Sequence, residues 1–157
     1  RFGGIQRRLE RVDAGGGVRV VDDYGHNPAK LAAAWAAVAA PGNRVLGAWR
    51  PHGFGPLRAM LEPLTEAFAA VGRAQDKLWL LPVYDAGGTA DRTVNSEALA
   101  ERLRARGVAV EMAASYEALG GELARTARAG DTILMMGARD PELPVFARKM
   151  AAATAHL

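Results

Sequence analysis

The sequence predicts an α/β domain with a Rossmann-like, mostly parallel sheet that carries helices on both faces. Three observations support this fold class. From residue 18 onward, short segments rich in Val, Ile, Leu and Trp alternate with longer segments of helical periodicity. Gly, Pro and Asn separate these segments at short intervals. The 157 residues, 50% of them hydrophobic and 24% charged, suffice for the core of one domain.

The composition excludes several classes of function. There is no cysteine, so disulfides, thiol nucleophiles and cysteine-ligated zinc are excluded. No apolar run approaches the roughly 20 residues of a membrane-spanning helix, and we expect a cytoplasmic protein with no membrane partner. The net charge is +3, and basic residues are interleaved with acidic ones rather than arranged along one face. We therefore expect no nucleic-acid partner.

The first residues predict a short hairpin. Residues 6–13 mix charged and apolar side chains in a pattern that favours a short strand. Three glycines at 15–17 follow as a flexible turn, so this strand is predicted to pair with the one that begins at Val18. The chain begins with Arg1 rather than Met, and we expect it to be a piece of a longer polypeptide.

The stretch from Val18 to Trp35 predicts a strand, a short polar loop and a helix. Its first residues are β-branched, and such stiff side chains pack well on a pleated sheet. Asn27 is a good N-cap, and Pro28 fits the first helical position, where its missing N–H costs nothing. Unpaired N–H groups and the positive end of the helix dipole attract anions at such a terminus. We therefore expect the functional site here.

The rest of the chain predicts four more strands and four more helices. The predicted strands are residues 44–49, 77–84, 108–113 and 131–136. The predicted helices are residues 57–71, with a kink at Pro63, 96–106, 116–129, and a last helix that begins at Pro141 or Pro144. Residues 50–56 are rich in Gly and Pro and are predicted as a loop.

Four loops are expected to meet at one edge of this sheet. Right-handed crossovers place the carboxyl ends of parallel strands together, and ligands of open α/β sheets bind outside that edge. The loops are residues 22–27, 50–56, 84–94 and 137–140. They contain polar side chains suited to binding or proton transfer: Asp22, Asp23, Tyr24, His26, His52, Tyr84, Asp85, Arg92, Arg139 and Asp140.

Several of these residues keep more than one interpretation. His26 is a phosphate ligand, a proton carrier, or a histidine that only bonds its own backbone. Asp23 binds ribose hydroxyls or metal-bound water, or merely closes an Asx turn. His52 stands among Gly and Pro residues with no periodic packing role, which favours a function. Of Arg7 and Arg8, one is predicted to be a surface charge and the other a phosphate clamp.

Other catalytic patterns are missing from the sequence. It contains neither a Gly-x-Ser-x-Gly elbow nor a Gly-x-x-x-x-Gly-Lys-Ser/Thr phosphate loop. Metal binding by His26, His52 and Asp23 lacks the short ligand spacing of a metal site, and no metal ligand is predicted. The residues by themselves therefore predict an anion or nucleotide site whose chemistry is open.

Four motifs occur in an order typical of a known family. Phe2–Glu10 resembles Phe-x-Gly-x-x-Arg-Arg-Phe-Glu/Asp, and Asp22–Pro28 is similar to Asp-Asp-Tyr-Gly-His-His-Pro. Pro51-His52 stands in place of Gln-Pro-His-Arg-Tyr. The later landmarks are Val83-Tyr84, Ser96-Glu97-x-Leu99, Gly130-Asp131 and Met136-Gly137-Ala138. Together they resemble the C-terminal domain of the Mur ligase family, above all the group that adds L-alanine to UDP-N-acetylmuramate and its murein-peptide-recycling relatives.

The resemblance implies the C-terminal domain of a larger ATP-dependent ligase, whose N-terminal and central ATPase domains this chain lacks. In that family, ATP with magnesium phosphorylates a UDP-N-acetylmuramate-type carboxylate. The amine of an amino acid or peptide then displaces the phosphate, in peptidoglycan precursor synthesis or recycling. The phosphate loop and the magnesium ligands belong to the central domain, so we expect the isolated domain to be inactive and to contain no catalytic residue.

The resemblance also implies roles for individual residues. Arg8 would contact the nucleotide phosphates, and Asp23 would accept hydrogen bonds from the ATP ribose. His26 and Asn27 would complete the ATP-binding set. Tyr24, His26 and His52 would lie toward the phosphate and the incoming amino acid, as substrate-binding residues.

The chain departs from the family pattern after the second strand. Gly53 and Pro56 stand where the family has two substrate-binding arginines, and Arg50 or Arg58 is a candidate replacement. The resemblance therefore leaves open a paralogous ligase with another amino-acid acceptor. A second hypothesis from a different class is a nucleotide- or anion-binding module that regulates or scaffolds without catalysing.

Overall fold

The computed structural model describes residues 7–85 and 91–157, which contain one six-stranded sheet and the helices that cover it. Two sequence features fall partly outside these residues. They are the first family motif, of which residues 2–6 are not described, and the loop at 84–94, of which residues 86–90 are not described.

The predicted alternation of strands and helices is confirmed over the described residues. The strands are β1 (Glu10–Arg11), β2 (Arg19–Asp23), β3 (Val45–Arg50), β4 (Lys77–Leu80), β5 (Val110–Met112) and β6 (Thr132–Gly137). The helices are α1 (Pro28–Val38), α2 (Phe54–Ala59), α3 (Leu61–Val71), α4 (Ser96–Ala105), α5 (Tyr116–Thr126) and α6 (Glu142–Ala153).

The sheet has the strand order β1-β2-β6-β3-β4-β5. β1 is antiparallel to β2 and every other neighbouring pair is parallel, which confirms the mostly parallel sheet and the N-terminal hairpin. Buried residues of α1 to α4 pack on one face of the sheet, and those of α5 and α6 pack on the other. β2 and β3 flank β6. They lead to helices on one face of the sheet, whereas β6 leads to α6 on the other face. In such sheets a crevice opens where the crossovers change face, so the binding crevice is expected at the carboxyl end of β6.

The first strand is much shorter than predicted. Of the described residues 7–13, Glu10 and Arg11 form the strand ladder with β2, and the Val12 N–H donates to the Val20 carbonyl at 2.9 Å. Arg7 and Leu9 have positive φ angles of 65° and 51°, which an extended strand does not allow. The local reason is the Asp23 carboxylate, which accepts a hydrogen bond from the Leu9 N–H at 2.9 Å and so turns the chain toward the end of β2.

The region after β3 is more helical than predicted. Residues 54–59 form α2, whereas residues 54–56 were predicted to lie in a loop and residues 57–59 in the following helix. Pro56 is compatible with this because it stands in the first turn, where no N–H is needed. The predicted kink at Pro63 is a full break at Met60, after which α3 starts afresh with Pro63 in its own first turn.

The end of β4 also differs from the prediction. The strand stops at Leu80 rather than Tyr84, since Pro82 cannot donate to a ladder. Beyond it, Tyr84 forms an isolated parallel bridge with His52. The Tyr84 N–H donates to the Pro51 carbonyl at 2.8 Å, and the Gly53 N–H donates to the Tyr84 carbonyl at 3.1 Å. The loops after β3 and β4 are thereby joined at the carboxyl edge of the sheet, as predicted.

Candidate functional site

The loop between β2 and α1 ends in a fully formed helix cap. Asn27 has an extended backbone, and its side-chain oxygen accepts a hydrogen bond from the Lys30 N–H at 2.9 Å. Pro28 is the first helical residue, as predicted. The Asn27 side chain therefore binds its own helix and stabilises the start of α1.

Asp22 and Arg7 form a buried ion pair beneath this loop. The Asp22 carboxylate is 0% exposed and accepts hydrogen bonds from the Arg7 Nε at 2.9 Å and Nη2 at 3.1 Å. Burial raises the pKa of Asp22 above its ordinary value, and the Arg7 guanidinium opposes that rise. Arg7 also donates to the Gly137 carbonyl at 2.8 Å and lies over the Tyr24 ring. Arg7 thus fastens the end of β2 to the end of β6.

Asp23 closes the loop through its two oxygens. Oδ1 accepts from the Leu9 N–H at 2.9 Å, and Oδ2 accepts from the Gly25 N–H at 2.8 Å in an Asx turn. A Cβ at residue 25 would lie 2.8 Å from Oδ2, so glycine allows the close approach. Of the two interpretations of Asp23, the turn is therefore the one visible in the structure, and a ligand would share an oxygen that already has a partner.

A cavity of about 490 Å³ opens beside this loop. Its lining brings together the predicted site residues Arg8, Asp23, Tyr24 and His26 with Leu9, Gly25, Lys30, Ala33 and Ala34. Leu9 is 42% exposed and Tyr24 is 40% exposed, which gives the cavity an apolar and an aromatic wall. The cavity can therefore hold a flat or sugar-like group together with a negative charge.

The positive charge of this cavity comes from exposed side chains. Arg8 and Lys30 are exposed, and neither forms an ion pair among the described residues. His26 is exposed as well, and its Nδ1 lies 3.3 Å from the Tyr24 carbonyl oxygen. The structure thus contains the backbone contact that is one of the three interpretations of His26. Sequence reasoning missed Lys30, whose only signal was a basic residue in the first turn of a helix, where acids are preferred.

His52 lies apart from the cavity. It follows β3, and β6 separates β3 from β2, which places these strands roughly 10 Å apart. The imidazole is half-buried and stacks at a tilt on Tyr84, with ring centroids 5.9 Å apart. The structure therefore groups Tyr24 with His26 and groups His52 with Tyr84, rather than bringing the three predicted substrate-binding residues into one pocket.

Comparison with known proteins decides the family. Residues 7–139 match the family model for the Mur ligase, glutamate ligase domain. The chain belongs to this family. It is 38% identical over 140 residues to the UDP-N-acetylmuramate–L-alanine ligase of Oleidesulfovibrio alaskensis, which covers 87% of this chain and 30% of that enzyme. The resemblance inferred from the motifs is therefore confirmed.

Solved structures of Mur ligases share the fold. The murein peptide ligase from Psychrobacter arcticus matches with a TM-score of 0.71 at 15% identity, over 99% of this chain and 31% of that one. The MurF ligase from Thermotoga maritima in complex with ADP matches with a TM-score of 0.57 at 16% identity, over 93% of this chain and 31% of that one. The chain thus spans about a third of the length of these three Mur ligases.

Neither candidate replacement for the missing Mur ligase arginines is free. Arg50 donates to the Asp140 carboxylate at 3.1 Å and to the Pro82 carbonyl at 3.1 Å. Its guanidinium lies between the rings of Tyr84 and Tyr116, at 5.5 and 5.4 Å from their centroids. Arg58 pairs with Asp91 at 2.8 Å on the surface. Arg50 is therefore a structural residue.

Arg50, Tyr84, Tyr116 and Asp140 form one cluster. The sequence identified Tyr116 only as a helix residue. Its hydroxyl donates to the Asp140 carboxylate. Partial burial and this carboxylate raise the pKa of Tyr116 above its ordinary value. Asp140 also accepts at 2.9 Å from the N–H of Glu142, the first residue of α6. The cluster holds the strand ends of β3 and β6 in place, and no sequence signal linked these residues.

The described residues contain no group of three or more His, Cys, Asp or Glu side chains that could hold a metal ion. The two aspartates nearest the cavity are occupied, Asp22 by a guanidinium and Asp23 by two backbone N–H groups. The part of the chain that the structure describes also has no helix long and apolar enough to cross a membrane. What the site offers is cationic and aromatic binding groups.

Proposed function

We propose that this chain is the C-terminal domain of an ATP-dependent amide-forming ligase. It would close over ATP held by upstream domains and present the incoming amine. One observation carries the proposal: in a Mur ligase domain, a cavity at the start of α1 combines unpaired cations with an aromatic wall at the carboxyl edge of the sheet. The presence of ADP in a solved Mur ligase of the same fold supports ATP as the nucleotide.

The proposed reaction has two steps. A UDP-N-acetylmuramate-type carboxylate attacks the γ-phosphorus of ATP, which yields an acyl phosphate and ADP. The amine of an amino acid or peptide then attacks the acyl carbon, an amide bond forms, and inorganic phosphate leaves with the bonding electrons while the amine loses a proton. Both steps build negative charge near the phosphoryl group, which nearby cations stabilise.

The residues of this chain would bind and orient rather than transfer protons. Arg8 is proposed to contact the nucleotide phosphates, assisted by His26 at the rim of the cavity. Asp23 and Asn27 hold the loop and the helix cap in shape, and Asp23 can accept from ribose with the remaining lone pairs of its carboxylate. Tyr24 and His52 are proposed to face the amino-acid side of the reaction.

Magnesium is proposed to act with ATP, but the residues described here do not fit it. Mg²⁺ prefers carboxylate and water ligands, whereas the carboxylates of Asp22 and Asp23 are already engaged. Its ligands are therefore expected in the upstream domains. Because ATP and UDP-linked precursors are substrates of this proposed activity, we propose that the protein acts in the cytoplasm, in peptidoglycan precursor synthesis or recycling.

The acceptor is the open part of this proposal. The match to UDP-N-acetylmuramate–L-alanine ligases supports alanine. Gly53 and Pro56, in place of two arginines, support another amino acid or a peptide. The test is phosphate release by the full-length protein with ATP, magnesium and UDP-N-acetylmuramate, screened against single amino acids and short peptides.

The expected result is ATP turnover that depends on one class of amine. The isolated chain, as the matched control, should release no phosphate under the same conditions. A full-length protein that binds ATP but turns over with no amine would support the non-catalytic nucleotide-binding module instead. Turnover by the isolated chain would show that the division of labour between domains is wrong.

A further inference from the structure

Arg139 is held in an unusual backbone conformation just beyond β6. Its φ angle is 64°, in the left-handed region that glycine adopts freely and an arginine adopts at a cost. The residue is exposed, so burial of its side chain does not explain the choice of arginine here. Non-glycine residues in this conformation are concentrated at functional sites.

The charge of Arg139 is also not neutralised. Four other arginines near this edge are in ion pairs with Asp22, Asp140, Asp91 and Asp85. Among the described residues, Arg139 is in none. The adjacent carboxylate of Asp140 is already shared between Arg50, Tyr116 and the Glu142 N–H. Arg139 is therefore a cation available to a ligand.

The register of the sheet places Arg139 next to the loop of His52. Arg50 is paired with Gly137 across β3 and β6. His52 and Arg139 each follow two residues later, beyond the ends of β3 and β6, which as neighbouring strands lie about 4.8 Å apart. His52 in turn forms a bridge with Tyr84, which follows the next strand, β4. The three residues follow adjacent strand ends. Arg139 follows β6, which lies between β2 and β3, whereas His52 and Tyr84 lie on the side of β6 away from the nucleotide cavity.

We propose that Arg139 binds the carboxylate of the incoming amino acid or peptide. This inference rests on the proposed ligase function. The nucleotide phosphates have Arg8 and Lys30 on the β2 side of the sheet. Another anion in the reaction is the carboxylate of the incoming amino acid or peptide, which stays unreacted while the neighbouring amine attacks. A guanidinium matches a carboxylate with two parallel hydrogen bonds.

The composition of the His52 loop supports this assignment. Gly53 and Pro56 stand at the two positions where the family pattern has arginines. Arg50 and Arg58 are engaged by Asp140 and Asp91. Arg139 thus supplies, from the neighbouring strand end, a positive charge that the loop itself has lost.

The test is a steady-state comparison of Arg139→Gly and Arg139→Lys with the full-length wild-type protein. The substrates are ATP, UDP-N-acetylmuramate and the amino acid found in the phosphate-release screen. Glycine removes the guanidinium and relaxes the backbone, so the Tm should stay the same or rise. We expect the KM for the amino acid to rise about tenfold or more in Arg139→Gly, which corresponds to about 1.4 kcal/mol, and less in Arg139→Lys. The KM for ATP should stay within about twofold.

A matched control is Arg128→Ala, which removes one exposed arginine at the opposite edge of the sheet and should leave both KM values unchanged. An unchanged KM for the amino acid in Arg139→Gly, with an active wild type, would overturn this inference alone. A rise confined to the KM for ATP would show that Arg139 binds phosphate instead, and would also overturn it. A wild-type protein without amine-dependent turnover would overturn the ligase function on which the inference rests.

Discussion

The indole of Trp35 lies directly against the backbone of Gly47. A Cβ at residue 47 would come within 2.2 Å of the Trp35 ring, so only glycine allows this contact. The indole Nε1 also donates to the buried Asp76 carboxylate at 3.0 Å. Asp76 in turn accepts from the Val45 N–H at 2.9 Å and from Arg73. The helix that carries the candidate site is thereby locked onto β3.

Replacing Gly47 by alanine should strongly destabilise the fold. The new methyl group cannot be accommodated by a small shift, because the indole is held by its hydrogen bond to Asp76. Overpacking of this kind typically costs about 1–3 kcal/mol, and we expect the upper end of that range. Urea unfolding followed by tryptophan fluorescence measures it. Gly55→Ala is the matched control, since its Cβ would meet nothing within 4 Å, and an equal loss there would refute the argument.

Most of the fold was predictable because the sequence repeats one local pattern. Alternating buried strands and capped helices, such as the one that starts at Asn27, gave the fold class and the parallel sheet. The error in the first strand lies where a side chain distant in sequence decides the backbone. Arg7 and Leu9 leave the extended conformation for contacts at the end of β2, and neither contact has a signal in the local sequence.

The candidate site was predictable in its place but not in its connections. The sequence predicted a site at the start of the helix after Asn27, next to the polar loop before it. The structure has a cavity there, and Arg8, Tyr24 and His26 line it. His52 was grouped with them because it also follows a strand. Its separation depends on β6, the last strand in the sequence, lying between β2 and β3, and alternation alone does not give strand order.

Loss of Arg7 should expose the cost of burying Asp22. Arg7→Met would leave a fully buried carboxylate without its cation, and breaking such a pair costs about 3–5 kcal/mol. The pKa of Asp22 is already raised by burial and should rise further in this variant. When the pKa of a carboxyl group is raised in the folded state, the folded protein loses stability as the pH rises above the ordinary pKa of that group, near 4. The deficit of Arg7→Met should therefore be larger at pH 7 than at pH 4.

Chemical denaturation at the two pH values tests this directly. The double variant Arg7→Met/Asp22→Asn should recover part of the loss at pH 7, because the buried group is then neutral. A deficit that is the same at both pH values would mean that the Arg7 side chain contributes through packing rather than charge.

Tyr116 should make the protein sensitive to alkali. Its raised pKa means that above about pH 10 the unfolded chain releases the phenolic proton while the folded chain retains it, so stability falls as the pH rises. Tyr116→Phe should remove this contribution to the alkaline loss. It should also cost about 1–2 kcal/mol at pH 7, because the hydrogen bond to Asp140 is lost. Thermal unfolding from pH 7 to 11 measures both effects, and parallel curves for variant and wild type would contradict the assignment.

Arg8 gives the cleanest test of the nucleotide cavity. Asp23→Ala should also raise the requirement for ATP, but it removes the acceptor of the Leu9 and Gly25 N–H groups and so disturbs the loop itself. Arg8 is exposed and makes no ion pair among the described residues, so Arg8→Ala should leave the Tm unchanged. A charged hydrogen bond to phosphate contributes about 1.5–3 kcal/mol, and the KM for ATP of the full-length protein should rise about tenfold or more.

Arg102→Ala, which removes an exposed arginine paired with Glu62 far from the cavity, is the control and should leave that KM unchanged. Equal ATP kinetics in Arg8→Ala and wild type would mean that the cavity does not hold the nucleotide phosphates.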